Sequence, residues 1–231
     1  MTLLTSSRAR RILAGWSASI VQVLLALTQQ IILIPLFLMY WTSDTLSAWL
    51  TIFAAGSLVT ISDAGLHAWS LNRFLSFKSR DDCDRRTRRY YGALSQLFVW
   101  LAGVLTIILL TIFWLVPPSE VLGFSAEPNF GLAFALMTLG QVFMLPVNLA
   151  GALYRARGLY GRIVIVQTWG TALGQLGQIV GIIATGSLVV VVIAFVVGQI
   201  ATMAYILLFD VRRQFPFLKD LRGQIGLRWT V

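Results

Sequence analysis

Six long apolar stretches, with basic residues confined to alternate connections between them, constrain this chain more than any other feature. They run at about 12–39, 46–71, 92–115, 130–153, 163–186 and 188–209. Stretches of this kind have the length, roughly 20 residues, that a helix needs to cross bilayer hydrocarbon. Three basic residues precede the first (Arg8, Arg10, Arg11), and seven follow the second (Arg73, Lys78, Arg80, Arg85, Arg86, Arg88, Arg89). Three more follow the fourth (Arg155, Arg157, Arg162), and five follow the sixth (Arg212, Arg213, Lys219, Arg222, Arg228), which accounts for all 18. The first, third and fifth connections carry no Lys or Arg, only Asp44, Glu120 and Glu127.

Six membrane spans would place every positive charge on one face, as the positive-inside rule requires, and both termini would be cytoplasmic. One helix more or fewer would destroy that agreement. The net charge of +9 is then an orientation signal with lipid-headgroup contact, and nucleic acid is not an expected partner. A mean hydropathy of +0.80 excludes a soluble globular domain. The first stretch is too long for a signal-peptide core, and no small-x-small cleavage site follows it. Tyr40, Trp41, Trp49 and Trp114 fall near one expected interface, and Trp16, Tyr90, Tyr91, Tyr154 and Tyr160 near the other.

Catalytic and cofactor chemistry lacks its raw material. One histidine (His67) and one cysteine (Cys83) cannot assemble a metal cluster or a supported Cys–His pair, and no phosphate-binding Walker loop is present. No cofactor and no enzymatic activity are expected.

Polar side chains within the stretches should face a cavity or another helix. Gln22 and Gln29 lie close to one face of the first, Gln141 and Asn148 are seven apart in the fourth, and Gln199 is in the sixth. Pro146 should kink the fourth. In the fifth, Gln167, Thr171, Gly174, Gln175, Gln178, Gly181 and Thr185 follow helical spacing along one stripe. The glycines fit close helix packing, and the amides fit a hydrated path able to meet sugar hydroxyls. Asp63 and His67 are i and i+4 near the second stretch's basic end. Within the bilayer they would form an ionisable pair suited to proton or ion coupling; alternatively, the helix ends near Ile61 and both lie at the interface.

The segment "LTQQIILIPLFLMYWTSDTLSAWLTIFAAGSLVTISDAGLHAWSLNRF" resembles the start of the polysaccharide-transporter family, the Wzx-type flippases of O-antigen and lipid-linked oligosaccharides within the MOP exporter superfamily. The features that carry it are Ile34-Pro35, the aromatic entry around Trp49, and Asp63-Ala64-Gly65-Leu66. The later "NLAGALYRARGLYGRIVIVQTWG" is similar to the family's basic link into a fifth span. Ser47-Ala48-Trp49 departs from a common entry with Gly before the aromatic.

The resemblance implies an all-α membrane protein whose six helices form one lobe of a two-lobe transporter of twelve or more helices. Residues 1–231 would be that lobe, with 210–231 a tail leading toward a second lobe, from the same chain or another copy. It implies flipping of polyprenyl-pyrophosphate-linked repeat units across a bacterial cytoplasmic (inner) membrane by ion-coupled alternating access. Membrane lipids and a polysaccharide polymerase are implied as neighbours. Arg73 and Arg155, nearest the cytoplasmic mouth, would contact pyrophosphate, unless they serve as charge anchors alone. The competing readings are a cation-coupled multidrug exporter of the same superfamily and a non-transporting scaffold in polysaccharide assembly. A membrane glycosyltransferase or ligase would need a longer loop than residues 116–129.

Overall fold

The computed structural model describes residues 20–25, 27, 29–62, 64–78 and 81–218. Every element among them is helical. A π turn, Gln29–Leu33, leads into α1 (Ile34–Tyr40), followed by α2 (Ser43–Ser62), α3 (Ala64–Phe77), α4 (Cys83–Leu115) and the short α5 (Pro118–Val121). The chain continues through α6 (Phe130–Phe143), α7 (Leu145–Ala156), α8 (Tyr160–Thr185) and α9 (Leu188–Ala204). A second π turn, Tyr205–Asp210, then enters α10 (Val211–Gln214). Among the described residues, three stretches are long and apolar enough to cross a membrane: Cys83–Leu115, Phe130–Ala156 and Leu188–Gln214. Large apolar side chains such as Trp100, Ile107 and Trp114 on α4 and Trp169, Leu176 and Val180 on α8 stand exposed, as expected of helices surrounded by hydrocarbon.

Local chemistry sets the interruptions. Pro117 and Pro118 stop α4, after which Val116 is extended. Pro146 has no N–H to return to the preceding turn, so the fourth stretch divides as expected. Met144 N bonds Gln141 O (3.1 Å), and Val147 N bonds Met144 O (3.0 Å) as the helix restarts. The turn from α8 to α9 needs a left-handed residue, and Gly186 supplies it at φ 62°, its N–H closing on Ile182 O.

Two apolar cores lie at opposite ends of the bundle. Toward the end that carries the arginines, Phe74, Tyr91, Phe98, Leu149, Leu153, Ile163, Ile206 and Phe215 pack together. Toward the far end, Leu33, Phe37, Trp49, Ile52, Phe130, Met137, Ile182, Val192 and Phe195 form the second core. Helix α8 belongs to both, through Ile163 at one end and Ile182 at the other.

The glycines of α8 serve packing. A Cβ placed on Gly177 or Gly181 would stand 3.2 Å from Ala194 or Val190 of α9. Where the two backbones themselves meet, a Cβ on Gly198 would lie 2.8 Å from Cα and 2.9 Å from N of Gly174. Small residues are what permit such an approach between apolar helices. Helix α7 uses the same device: Ala150, Gly151 and Ala152 are buried, as are its larger neighbours Leu149, Leu153 and Tyr154. Replacing Pro146 with Ala would restore an N–H and favour one continuous helix. The expected result is retained folding with a straighter α6–α7 axis, read from the distance between spin labels at Leu132 and Arg155.

Candidate functional site

The polar residues of the expected path separate into three environments. Gln178 of α8 is fully buried, while Gln175 of α8 and Gln141 of α6 keep 6% and 9% of their surface exposed. Gln167, Gln199 and Asn148 are partly buried. Gln22 is exposed, together with Ile20, Val21, Val23 and Leu24 around it. The side chain of Gln29, in the first π turn, lies outside the described residues, as does Asp63. Thus α8 carries the deepest amides, close to the glycine ridge that clamps it to α9.

His67 is held from α3 against α7. Its Nδ1 lies 2.9 Å from the Asn148 carbonyl oxygen. A carbonyl only accepts, so Nδ1 carries a proton and donates it. Nε2 is buried without a partner among the described residues. The close approach depends on Gly151, where an added Cβ would come to 3.7 Å from the imidazole Cε1. The described partner of His67 is therefore on the neighbouring helix.

Arg73, one turn before the end of α3, and Arg155, in the last turn of α7, stand on two helices that pack side by side. Both are exposed, and each lays its guanidinium over a ring: Arg73 over Phe77 at 5.4 Å and Arg155 over Tyr160 at 4.9 Å. Stacking leaves the guanidinium edge free to meet an anion while orienting its plane. Arg157 differs, since its Nη2 donates to Asp84 Oδ1 at 2.6 Å and to Thr87 at 3.3 Å.

A buried ionic clasp at the same end went unforeseen from the residues. Asp210, only 1% exposed in its side chain, accepts hydrogen bonds from two helices. Tyr154 Oη of α7 donates to Oδ2 at 2.6 Å, and Arg162 of α8 donates from Nε at 3.1 and 3.0 Å and from Nη2 to Oδ1. The carboxylate thus ties the end of α7, the start of α8 and the π turn after α9. Position alone gave little warning: Asp210 sits one residue beyond the sixth apolar stretch, beside Arg212 and Arg213, where a solvated charge is the ordinary expectation. At the far end, Trp41 Nε1 donates to the Gly186 carbonyl (2.6 Å) and Thr45 Oγ1 to Glu127 Oε1 (2.9 Å). These bonds close the bundle's other face.

No group of three or more His, Cys, Asp or Glu suited to a metal occurs among the described residues. The chain matches no family model, no curated protein and no solved structure.

Proposed function

We propose that the chain is one six-helix lobe of a membrane transporter that flips polyprenyl-pyrophosphate-linked oligosaccharide repeat units from the cytoplasmic to the outer leaflet. The observation that carries this reading is the pairing of two features on one bundle. Neutral amides are buried along α8 and α6, and two ring-stacked arginines stand exposed at the ends of α3 and α7 that carry the described basic residues. Amides match hydroxyl-rich sugars, and guanidinium groups match pyrophosphate through paired N–H donors. The apolar helix faces would let the lipid tail stay in the hydrocarbon. In this reading the first, second and fifth stretches also span, both termini are cytoplasmic, and a second lobe completes the path, as repeat-built transporters place their sites between lobes.

Loss of the gene is the direct test. Lipid-linked repeat units should accumulate on the inner leaflet, and accumulation absent in a clean deletion would reject the reading. A multidrug exporter would instead show increased sensitivity to cationic organics with normal surface polysaccharide. Arg73→Gln together with Arg155→Gln should reduce flipping at least tenfold with little change in Tm, because both side chains are exposed and surface charges contribute little to stability.

Coupling is assigned to Asp63 and His67. His67→Phe removes the bond to Asn148 but also removes an unpaired buried nitrogen, so stability should change by no more than about 1 kcal/mol. Transport driven by a pH gradient should fall sharply in both His67→Phe and Asp63→Asn. A transport rate that keeps its pH dependence in both variants rules the assignment out.

A further inference from the structure

Gln178 is the side chain whose position is hardest to account for by packing alone. It is fully buried, and neither Nε2 nor Oε1 has a hydrogen-bond partner among the described residues. An amide brings two donors and a carbonyl acceptor, and leaving all of them unpaired in an apolar core is unfavourable, where a leucine of similar size would carry no such penalty. The surrounding core is strongly apolar. Ile182, one turn further along the same face, lies in the cluster formed by Leu33, Phe37, Trp41, Trp49 and Phe195.

Helix α1 packs against α8, and its register points to what covers the amide. Helices α1 and α8 both run toward the far end, and Trp41 Nε1 bonding Gly186 O fixes their relative height. At an equal rise of about 1.5 Å per residue, Phe37 comes abreast of Ile182 and Leu33 abreast of Gln178. Leu33 is the last residue of the π turn Gln29–Leu33, so the covering strand of helix changes its winding at that level. Below it the chain leaves the core: residues 20–24 and 27 are exposed. Above it, α1 is fastened by the Trp41 bond and by ring contacts, Phe37 to Trp41 at 4.6 Å and Phe37 to Trp49 at 5.8 Å. By contrast α8 is locked to α9 through the Gly174–Gly198 backbone contact, so of the two covering sides α1 is the one that can yield.

We infer that Gln178 is a concealed hydrogen-bonding site for hydroxyl groups, covered by Leu33–Trp41 and uncovered when the Trp41–Gly186 bond opens. In the covered state the unpaired amide biases the bundle toward opening. In the uncovered state the amide meets water or the hydroxyls of a sugar. The sugar as occupant rests on the flippase reading; the cover itself does not.

The cover is tested on the full-length protein in detergent, with Cys83→Ser removing the native thiol. With Gln178→Cys, a polar maleimide should react at least tenfold more slowly than with Ser125→Cys, in the exposed polar loop before α6. Adding Trp41→Phe should raise the Gln178→Cys rate at least tenfold in protein that remains monodisperse. Equal rates with and without Trp41→Phe, or rapid labelling in both, would overturn the proposal. Independently, Gln178→Leu should raise Tm by several degrees while slowing the flipping of lipid-linked sugar. An unchanged or lowered Tm would show that the amide is already satisfied, which also overturns it. If the unaltered protein flips no lipid-linked sugar, the flippase reading falls, and labelling and melting still decide the cover.

Discussion

Gly198→Leu is expected to leave little or no folded protein. The glycine Cα positions of α8 and α9 meet directly there, and an added Cβ would fall 2.8 Å from Gly174 Cα. Backbone cannot swing aside as a side chain can, so the two helices must separate. Separation also loosens the contacts of Gly177 with Ala194 and of Gly181 with Val190. A single overpacked methyl costs about 1–3 kcal/mol, and the branched side chain adds three more heavy atoms at the same point. Against a total stability on the order of 5–15 kcal/mol, that is enough to deplete the folded state. Gly198→Ala should fold with a clearly lowered Tm. Gly103→Leu on α4, where a Cβ meets nothing within 4 Å, should melt like the parent. Size-exclusion profiles and melting curves of the three variants in one detergent make the comparison. Equal Tm for Gly198→Leu and Gly103→Leu would mean that the α8–α9 contact is not as tight as described.

Asp210→Ala carries the second large effect. Removing the carboxylate leaves Tyr154 Oη and the Arg162 guanidinium without the partner that holds both. Breaking a buried ion pair from one side costs about 3–5 kcal/mol. The side chain of Arg162 is 39% exposed and can turn toward water, which places the expected loss near the lower end, about 3 kcal/mol. The double variant Asp210→Ala with Arg162→Met should be more stable than Asp210→Ala alone, since no unpaired charge remains. Additive losses in that cycle would show that the two side chains do not interact. Loss of the clasp should also raise protease access at the basic ends of α7 and α8, because it is the clasp that joins them to the segment after α9.

Membrane character was legible from patterning because it depends on local quantities. Apolar length and the placement of Lys and Arg can be counted along the chain, and three long apolar helices bear that out in coarse form. The interruption at Pro146 was equally local, a missing N–H acting on its own turn. The spacing of Gly174 and Gly181 with the intervening glutamines pointed to a helix–helix contact, and the glycines pack against α9 as their small size requires. His67 was less legible. Its nearest acidic neighbour in sequence, Asp63, gave an i,i+4 expectation, whereas its described bond reaches 81 residues away to a backbone carbonyl. A carbonyl acceptor has no signature in side-chain identity, so periodicity could not have found it.

The amino-acid order by itself therefore determined what each segment is: which stretches are apolar enough to be helices in hydrocarbon, which end is basic, and where small residues permit contact. Those properties follow from composition and from backbone rules acting within a turn or two. Tertiary structure alone decided which polar groups are paired. It placed Asp210 between Tyr154 and Arg162, tied Trp41 to Gly186, and buried Gln178 without a partner among the described residues. Hydrogen bonding and burial depend on atoms brought together from distant parts of the chain, and helical spacing shows the face a residue occupies without showing what that face meets.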